Sequence, residues 1–241
     1  NVMAQWINDG VQPMAIWDVD LRRMQPCQNN KSFIVDRTIE SLGIAYKMHW
    51  PNRQWETGRG IKKSVLHERL EKVGACFGES AGWERPNWYA LPGEVAEYNY
   101  DFGRQNWFHN NASEHQAVRN AVGIFDQSSF QKILVQGKDA ESVLNRIATA
   151  NMSVANGTVV YTQFLNQIGG VEADLTITRL QANEYMVVTA AFTATHVKAW
   201  IDEHISDNAN CVLTDISGSY AMLNIQGPNS RSLLTTISSS N

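Results

Sequence analysis

Asp174 is the residue in this sequence best placed to do chemistry. It lies in a run, Val171 to Arg179, where apolar and polar residues alternate. Successive side chains of a strand point to opposite faces, so Asp174 shares a face with Glu172, Thr176 and Thr178, while Val171, Ala173, Leu175 and Ile177 take the other. The apolar face is expected to enter a core, leaving Asp174 facing a cleft. A carboxylate fixed on a strand can place negative charge beside a cation, and preorganised charge of that kind is effective where water is excluded. The same spacing also fits an ordinary carboxylate on a solvated strand face. Tyr161 stands opposite on the expected partner strand. Its ring offers a flat wall and its hydroxyl a polar handle, and packing alone would account for it equally well.

Other residue sets carry less. His49, His67, His109, His115, His196 and His204 lack the paired spacing of zinc sites, and His115, expected in the first turn of its helix, reads as structural. Gly169 and Gly170 suit a turn, because glycine takes positive φ without steric cost. No GxxxxGK[ST] follows them, so nucleotide binding gets no support. The chain has 241 residues, 43% hydrophobic and 18% charged, with a net charge of −4 and no Lys/Arg run. That is enough apolar material for one large or two small cores, and it gives no support to a nucleic-acid partner. Cys27, Cys76 and Cys211 are odd in number and widely spaced, which fits reduced thiols better than a disulfide scaffold. No apolar run is long enough for a membrane span, and none reads as a signal peptide.

The elements that must position these residues can be read from periodicity. Val2 to Ile7 reads as the tail of a helix ending at Asp9-Gly10, and Arg231 to Ile237 as a helix that runs into Ser-Ser-Ser-Asn. With Asn1 in first place, the chain is expected to be a piece of a longer polypeptide. Up to about Ala90, one helix stands out, Val65 to Val73, with Ser64 as N-cap and Gly74 as C-cap. Leu91-Pro92-Gly93 breaks the chain and Tyr98 to Phe108 connects. The aromatic group Trp83 to Tyr89 reads as packing between domains. From Asn111 onward the pattern is regular. Ser113 and Gln116 form a capping box for a helix ending near Val122. Strands follow at Phe130–Gln136, Val159–Leu165, Val171–Arg179, Tyr185–Thr189, Val212–Ile216 and Tyr220–Gln226, the second and third joined as a hairpin through Asn166 to Gly170. Helices are expected at Ala140–Ile147 and Ala194–Ile205, with Pro228 in the first turn of the last. Strands mixed with helices and tight hairpins indicate an α+β fold.

Two blocks carry a family pattern. Trp17-Asp18-Val19-Asp20-Leu21-Arg22-Arg23, Gly58-Arg59-Gly60-Ile61-Lys62-Lys63-Ser64 and Gly78 through Gly82-Trp83-Glu84-Arg85-Pro86-Asn87-Trp88-Tyr89 resemble the middle region of dimethylglycine and sarcosine dehydrogenases. Glu114-His115-Gln116-Ala117-Val118-Arg119, Gly123-Ile124-Phe125-Asp126 and Ser128-Ser129-Phe130 resemble the opening of the glycine-cleavage aminomethyltransferase (T-protein) fold. The hairpin Val160-Tyr161-Thr162 to Gly169-Gly170-Val171-Glu172-Ala173-Asp174-Leu175-Thr176 and the block Asn224 to Arg231 continue it. The blocks span nearly the whole chain in the family's order.

The resemblance implies a fold and a role. Residues 1–90 would be the tail of a FAD-dependent oxidoreductase with its central linker domain, 91–110 a connector, and 111–241 the N-terminal part of a folate-binding aminomethyltransferase domain. In that family a flavin oxidises an N-methyl amine to an iminium ion, and tetrahydrofolate captures the one-carbon unit. The site must orient the pterin and keep water away. By resemblance, Asp174 is the catalytic carboxylate, and Tyr161, Asp174, Leu175, Thr176 and Thr189 contact folate. Thr189 departs from the pattern: aminomethyltransferases commonly carry Asn there, and a hydroxyl replaces a two-way amide. FAD would be held upstream, and the fragment by itself would oxidise nothing. The implied partners are folate and a methylated amine, without nucleic acid or membrane, and a homo-oligomer is compatible. The compartment would be a bacterial cytoplasm or the mitochondrial matrix. Other readings are a non-catalytic regulatory subunit resembling that of pyruvate dehydrogenase phosphatase, and a folate-dependent aminomethyltransferase or demethylase.

Overall fold

The computed structural model describes residues 1–10 and 12–238. Its helices are α1 (Val2–Asp9), α2 (Lys31–Ala45), α3 (His67–Lys72), α4 (Phe108–Asn120), α5 (Ala140–Ile147), α6 (Ala194–Glu203) and α7 (Ser230–Ile237). Its strands are β1 (Ala75–Ser80), β2 (Trp83–Tyr89), β3 (Gly123–Asp126), β4 (Gln131–Gln136), β5 (Val159–Leu165), β6 (Val171–Gln181), β7 (Glu184–Thr189), β8 (Val212–Asp215) and β9 (Leu223–Gln226). The mixture of helices with antiparallel hairpins is α+β. Among the described residues, no helix is long and apolar enough to cross a membrane.

The chain forms two compact units that are not consecutive stretches. Unit 1 combines residues 1–26 with 133–214, and unit 2 combines 27–132 with 215–241. Unit 1 is built on a sheet of order β5-β6-β7-β4-β8. One face of the sheet is apolar because the strands alternate: Ile133 and Val135, Phe164, Leu175 and Ile177, and Tyr185 and Val187 are buried together. Helices α5 and α6 cover that face with Val143, Leu144 and Ile147 and with Val197 and Ile201. Each helix therefore contributes a single stripe to the core, as an amphipathic helix should. The segment Trp17–Arg23 lies along α6: the Trp17 ring stacks on His196 with centroids 4.5 Å apart, and Thr195 Oγ1 donates to the Arg23 carbonyl at 3.2 Å. Arg22 also pairs with Glu203.

Unit 2 holds the antiparallel hairpin β1–β2 and the pair β3–β9. Trp88 and Trp107, with ring centroids 6.3 Å apart, form its small core with Cys76. Glu84, nearly buried on β2, accepts from Arg59 Nε at 2.9 Å and from the Gly60 amide. The Gly58-Arg59-Gly60 block is thereby fixed as a charge-bearing turn. All three cysteines are free thiols.

Several local expectations are corrected. The 15-residue helix α2 lies where no helix was expected. Asn30 caps it, its Oδ1 accepting from the Phe33 amide at 2.8 Å. The β-branched residues Ile34, Val35, Thr38 and Ile39 mask it, since they have modest helix propensity. Helix α4 starts at Phe108, five residues before the expected capping box. Ser113 lies inside it and bonds back to the His109 carbonyl at 3.0 Å, and His115 falls in its middle. The buried Trp107 sets the start of that helix instead. Trp83–Tyr89 is a strand that packs Trp88 on Trp107 and meets α4 through Tyr89, whose amide donates to Glu114 at 2.9 Å and whose carbonyl accepts from Asn110 at 2.9 Å, so it lies against the residues expected to open the second domain. The expected strand from Tyr220 begins at Leu223. The serines and Asn at 239–241 lie outside the described residues.

One backbone approach limits the sheet's connection to α5. Gly137 takes φ +134°, and a Cβ there would stand 2.0 Å from the Asn210 carbonyl oxygen. Gly137→Ala is expected to destabilise the protein by about 1–3 kcal/mol, read as a lower urea midpoint at unchanged slope. An unchanged midpoint would show that this approach is not made in solution.

Candidate functional site

The site residues come from the β5–β6 hairpin. Asn166 builds its turn: Oδ1 accepts from the amides of Ile168 at 3.1 Å and Gly170 at 2.8 Å, while Gly169 supplies φ +82°. In the ladder Tyr161 faces Thr176, and Gln163 faces Asp174. Tyr161 and Asp174 are thus diagonal neighbours on one face, within reach of a long side chain. Tyr161 Oη donates to Asp174 Oδ2 at 2.8 Å. Thr176 lies on the same face, and opposite it on β7 stands Val188. Both are half-buried, whereas Tyr161 and Asp174 are exposed, Tyr161 at 63%.

The other face of the same strands is the core, and it separates the expected site residues into two groups. Leu175, at 3% exposure, packs into the core, so only its main chain can approach a ligand. Thr189 follows Tyr185 and Val187 in the alternation and is buried on the helix side. Its hydroxyl lies 2.9 Å from that of Thr193. It is therefore not brought together with Tyr161 and Asp174. Glu172 also leaves the expected face. The ladder slips between Phe164 and Leu165, so that Leu165 faces Val171 and Glu172 becomes the extra residue of a bulge. Its carboxylate reaches His196 Nε2 on α6 at 3.0 Å and Asn166 Nδ2 at 2.8 Å. Alternation predicts none of this, because a bulge shifts side chains by one position.

The site as formed is a flat platform carrying one carboxylate, Asp174, one phenol, Tyr161, and the hydroxyls of Thr176 and Thr178. Gln163, Met186 and Val188 flank it on neighbouring strands, and only strand pairing brings them there. The carboxylate and its hydrogen bond hold the Tyr161 phenol above its ordinary value, since ionising the donor would set two negative charges side by side. Among the described residues, no group of three or more His, Cys, Asp or Glu residues is arranged to hold a metal ion.

The Tyr161–Asp174 bond has a pH signature. With Asp174→Asn the phenol loses its anionic acceptor, so its titration should move down toward 10.0, its ordinary value. Tyrosine 13Cζ NMR across pH 8–12 would follow this. An unmoved Tyr161 resonance would mean that the bond does not form in solution.

Comparison with known proteins places the chain in a family. Residues 66–241 match the family model of the GCVT N-terminal domain, and residues 9–64 match the FAD dependent oxidoreductase central domain. Over 98% of its length the chain is 43% identical to 4-methylaminobutanoate oxidase (formaldehyde-forming) of Paenarthrobacter nicotinovorans, covering 28% of that protein. It is 30% identical to the mouse mitochondrial pyruvate dehydrogenase phosphatase regulatory subunit over 98% of the chain and 27% of the relative. Human mitochondrial dimethylglycine dehydrogenase is 27% identical, again over 98% of the chain and 27% of the relative. The chain thus spans less than a third of these curated relatives. The crystal structure of glycine cleavage system aminomethyltransferase T from Bartonella henselae superposes with a TM-score of 0.59 at 27% identity, over 73% of this chain and 44% of that one. The chain therefore belongs to the GCVT N-terminal domain family, in the branch where that domain follows the central domain of a FAD-dependent oxidoreductase.

Proposed function

We propose that this chain is the part of a flavin-dependent N-methylated amine oxidase or dehydrogenase that binds tetrahydrofolate and receives the one-carbon unit. The observation that carries the reading is the Tyr161–Asp174 pair on the open face of β5 and β6. When bound, folate would supply the amine nucleophile that takes up the one-carbon unit, giving methylene-tetrahydrofolate. The residues present suit such a ligand. Asp174 offers an anionic acceptor for an N–H, Tyr161 and Val188 offer flat and apolar surface, and Thr176 adds a hydroxyl.

Each residue has a task in this reading. Asp174 accepts a hydrogen bond from a folate amine and places negative charge beside the cationic one-carbon donor, where a fixed charge favours the transition state. Tyr161 donates to Asp174 and holds that carboxylate in one orientation. The rigid strands below set the geometry, since β6 is paired on both sides. Leu175 contributes its main chain alone, and Thr189 contributes nothing directly. Amine oxidation and FAD binding are assigned to other residues of the polypeptide that carries this chain. Which methylated amine is oxidised is decided there.

A second reading, a non-catalytic regulatory subunit, is favoured by the similarity to the phosphatase regulatory subunit. Calorimetric titration of folinic acid into the full polypeptide carrying this chain, with and without Asp174→Ala, separates the two. The folate reading expects wild-type binding that weakens at least tenfold, about 1.4 kcal/mol, in the variant. Failure of both forms to bind would favour the regulatory reading, and equal binding by both would remove Asp174 from the site.

A further inference from the structure

Unit 2 contains a second arrangement with unmet chemistry, sharing no residue with the Tyr161–Asp174 face. Strand β2, helix α4 and strand β3 line an open cleft of about 280 Å3, whose walls include Arg85, Tyr89, Glu114, Val118 and the exposed side chains of Ile124 and Phe125. Its size is slightly below the roughly 300–1,000 Å3 of sites for drug-sized ligands, which suits something smaller.

The two charges on its walls are each incomplete. Glu114, half-buried on α4, accepts from the Tyr89 amide at 2.9 Å through one oxygen. Among the described residues no cation forms an ion pair with it. Burial accordingly pushes its carboxyl above the usual range, with the Tyr89 amide and neighbouring His115 opposing. Arg85 on β2 likewise enters no ion pair among the described residues, and the two do not pair with each other. The other carboxylate on the wall, Asp126, is satisfied: it accepts from the Ser64 hydroxyl and, at 3.0 Å, from the Ser128 amide. A partly buried carboxylate without a cation is costly, and a guanidinium fork is shaped to take a carboxylate on two N–H groups. Val118, Ile124 and Phe125 add apolar wall to the same cleft.

We propose that this cleft binds a small zwitterionic amino acid, its carboxylate on Arg85 and its ammonium on Glu114. The ligand's methyl or methylene groups face Val118, Ile124 and Phe125, and the Tyr89 hydroxyl, kept protonated by burial and by the Glu114 and Asp126 charges, remains available as a donor. A ligand with one charge alone satisfies one wall and leaves the other unmet, so selectivity for the zwitterion is built in. The inference is independent of the folate reading.

Equilibrium dialysis with L-alanine and with its isomer N-methylglycine, without folate, tests it. At least one isomer should bind saturably, one per chain, and at least tenfold more tightly than acetate or methylammonium, the two half-ligands. Arg85→Gln and Ala117→Leu, the second filling the cleft from α4 without altering a charge, should each weaken binding at least tenfold. Glu114→Gln should do the same while keeping an acceptor for the Tyr89 amide. Should that variant fail to fold, the other two decide. Absence of saturable binding by either isomer, half-ligands that bind as well as the zwitterion, or undiminished binding in folded Arg85→Gln would overturn the proposal.

Discussion

The register of β6 against β5 is the constraint on which the candidate site depends. Leu175 and Ile177 point into the core beneath α5 and α6, and that burial leaves Asp174 and Thr176 on the other face. A slip of one residue would bury the carboxylate and expose the leucine, which the desolvation cost of a charge forbids. The core thus aims the site, although none of its side chains belongs to the site. The Asn166 turn ties the two strands at one end, and pairing with β7 fixes the other edge of β6.

The bulge at Glu172 shows how a local irregularity redistributes charge. With perfect alternation two carboxylates, Glu172 and Asp174, would share the platform and repel each other. The extra residue turns Glu172 to α6, where it meets His196, the histidine that stacks on Trp17. One acid is left on the open face, bonded to one phenol. A single anionic acceptor is a more selective feature than an acidic patch, and the cross-strand bond orients it.

Unit 2 follows a different plan. Its core is small, and much of its order comes from buried polar links, such as Glu84 with Arg59 and Gly60, and Lys132 Nζ with the Ser128 carbonyl at 2.9 Å. Burial lowers the Lys132 ammonium's tendency to hold its proton, against the pull of Asp126 and Asp215. Most such groups find partners. Glu114 and Arg85 line one cleft, and among the described residues neither enters an ion pair.

The sequence by itself determined the family, the α+β class, the β5–β6 hairpin and the face on which Asp174 and Thr176 stand. These rest on period-2 alternation, glycine and asparagine at the turn, and short ordered blocks, all of which are local in the chain. Tertiary structure alone decided the rest. It turned Glu172 away through a bulge, since ladder slippage depends on the partner strand. It buried Thr189 beside Thr193, because which side of the sheet receives helices is not written in the strand. It gathered residues 1–26 with 133–214, a contact between stretches more than 100 residues apart in sequence. It also set α2 and the true start of α4, where capping by Asn30 and burial of Trp107 outweighed propensity and a plausible capping box. Local preferences are worth tenths of a kcal/mol to about 1 kcal/mol per residue, whereas full burial of one large side chain contributes about 1.5–3 kcal/mol, so packing prevails wherever the two disagree.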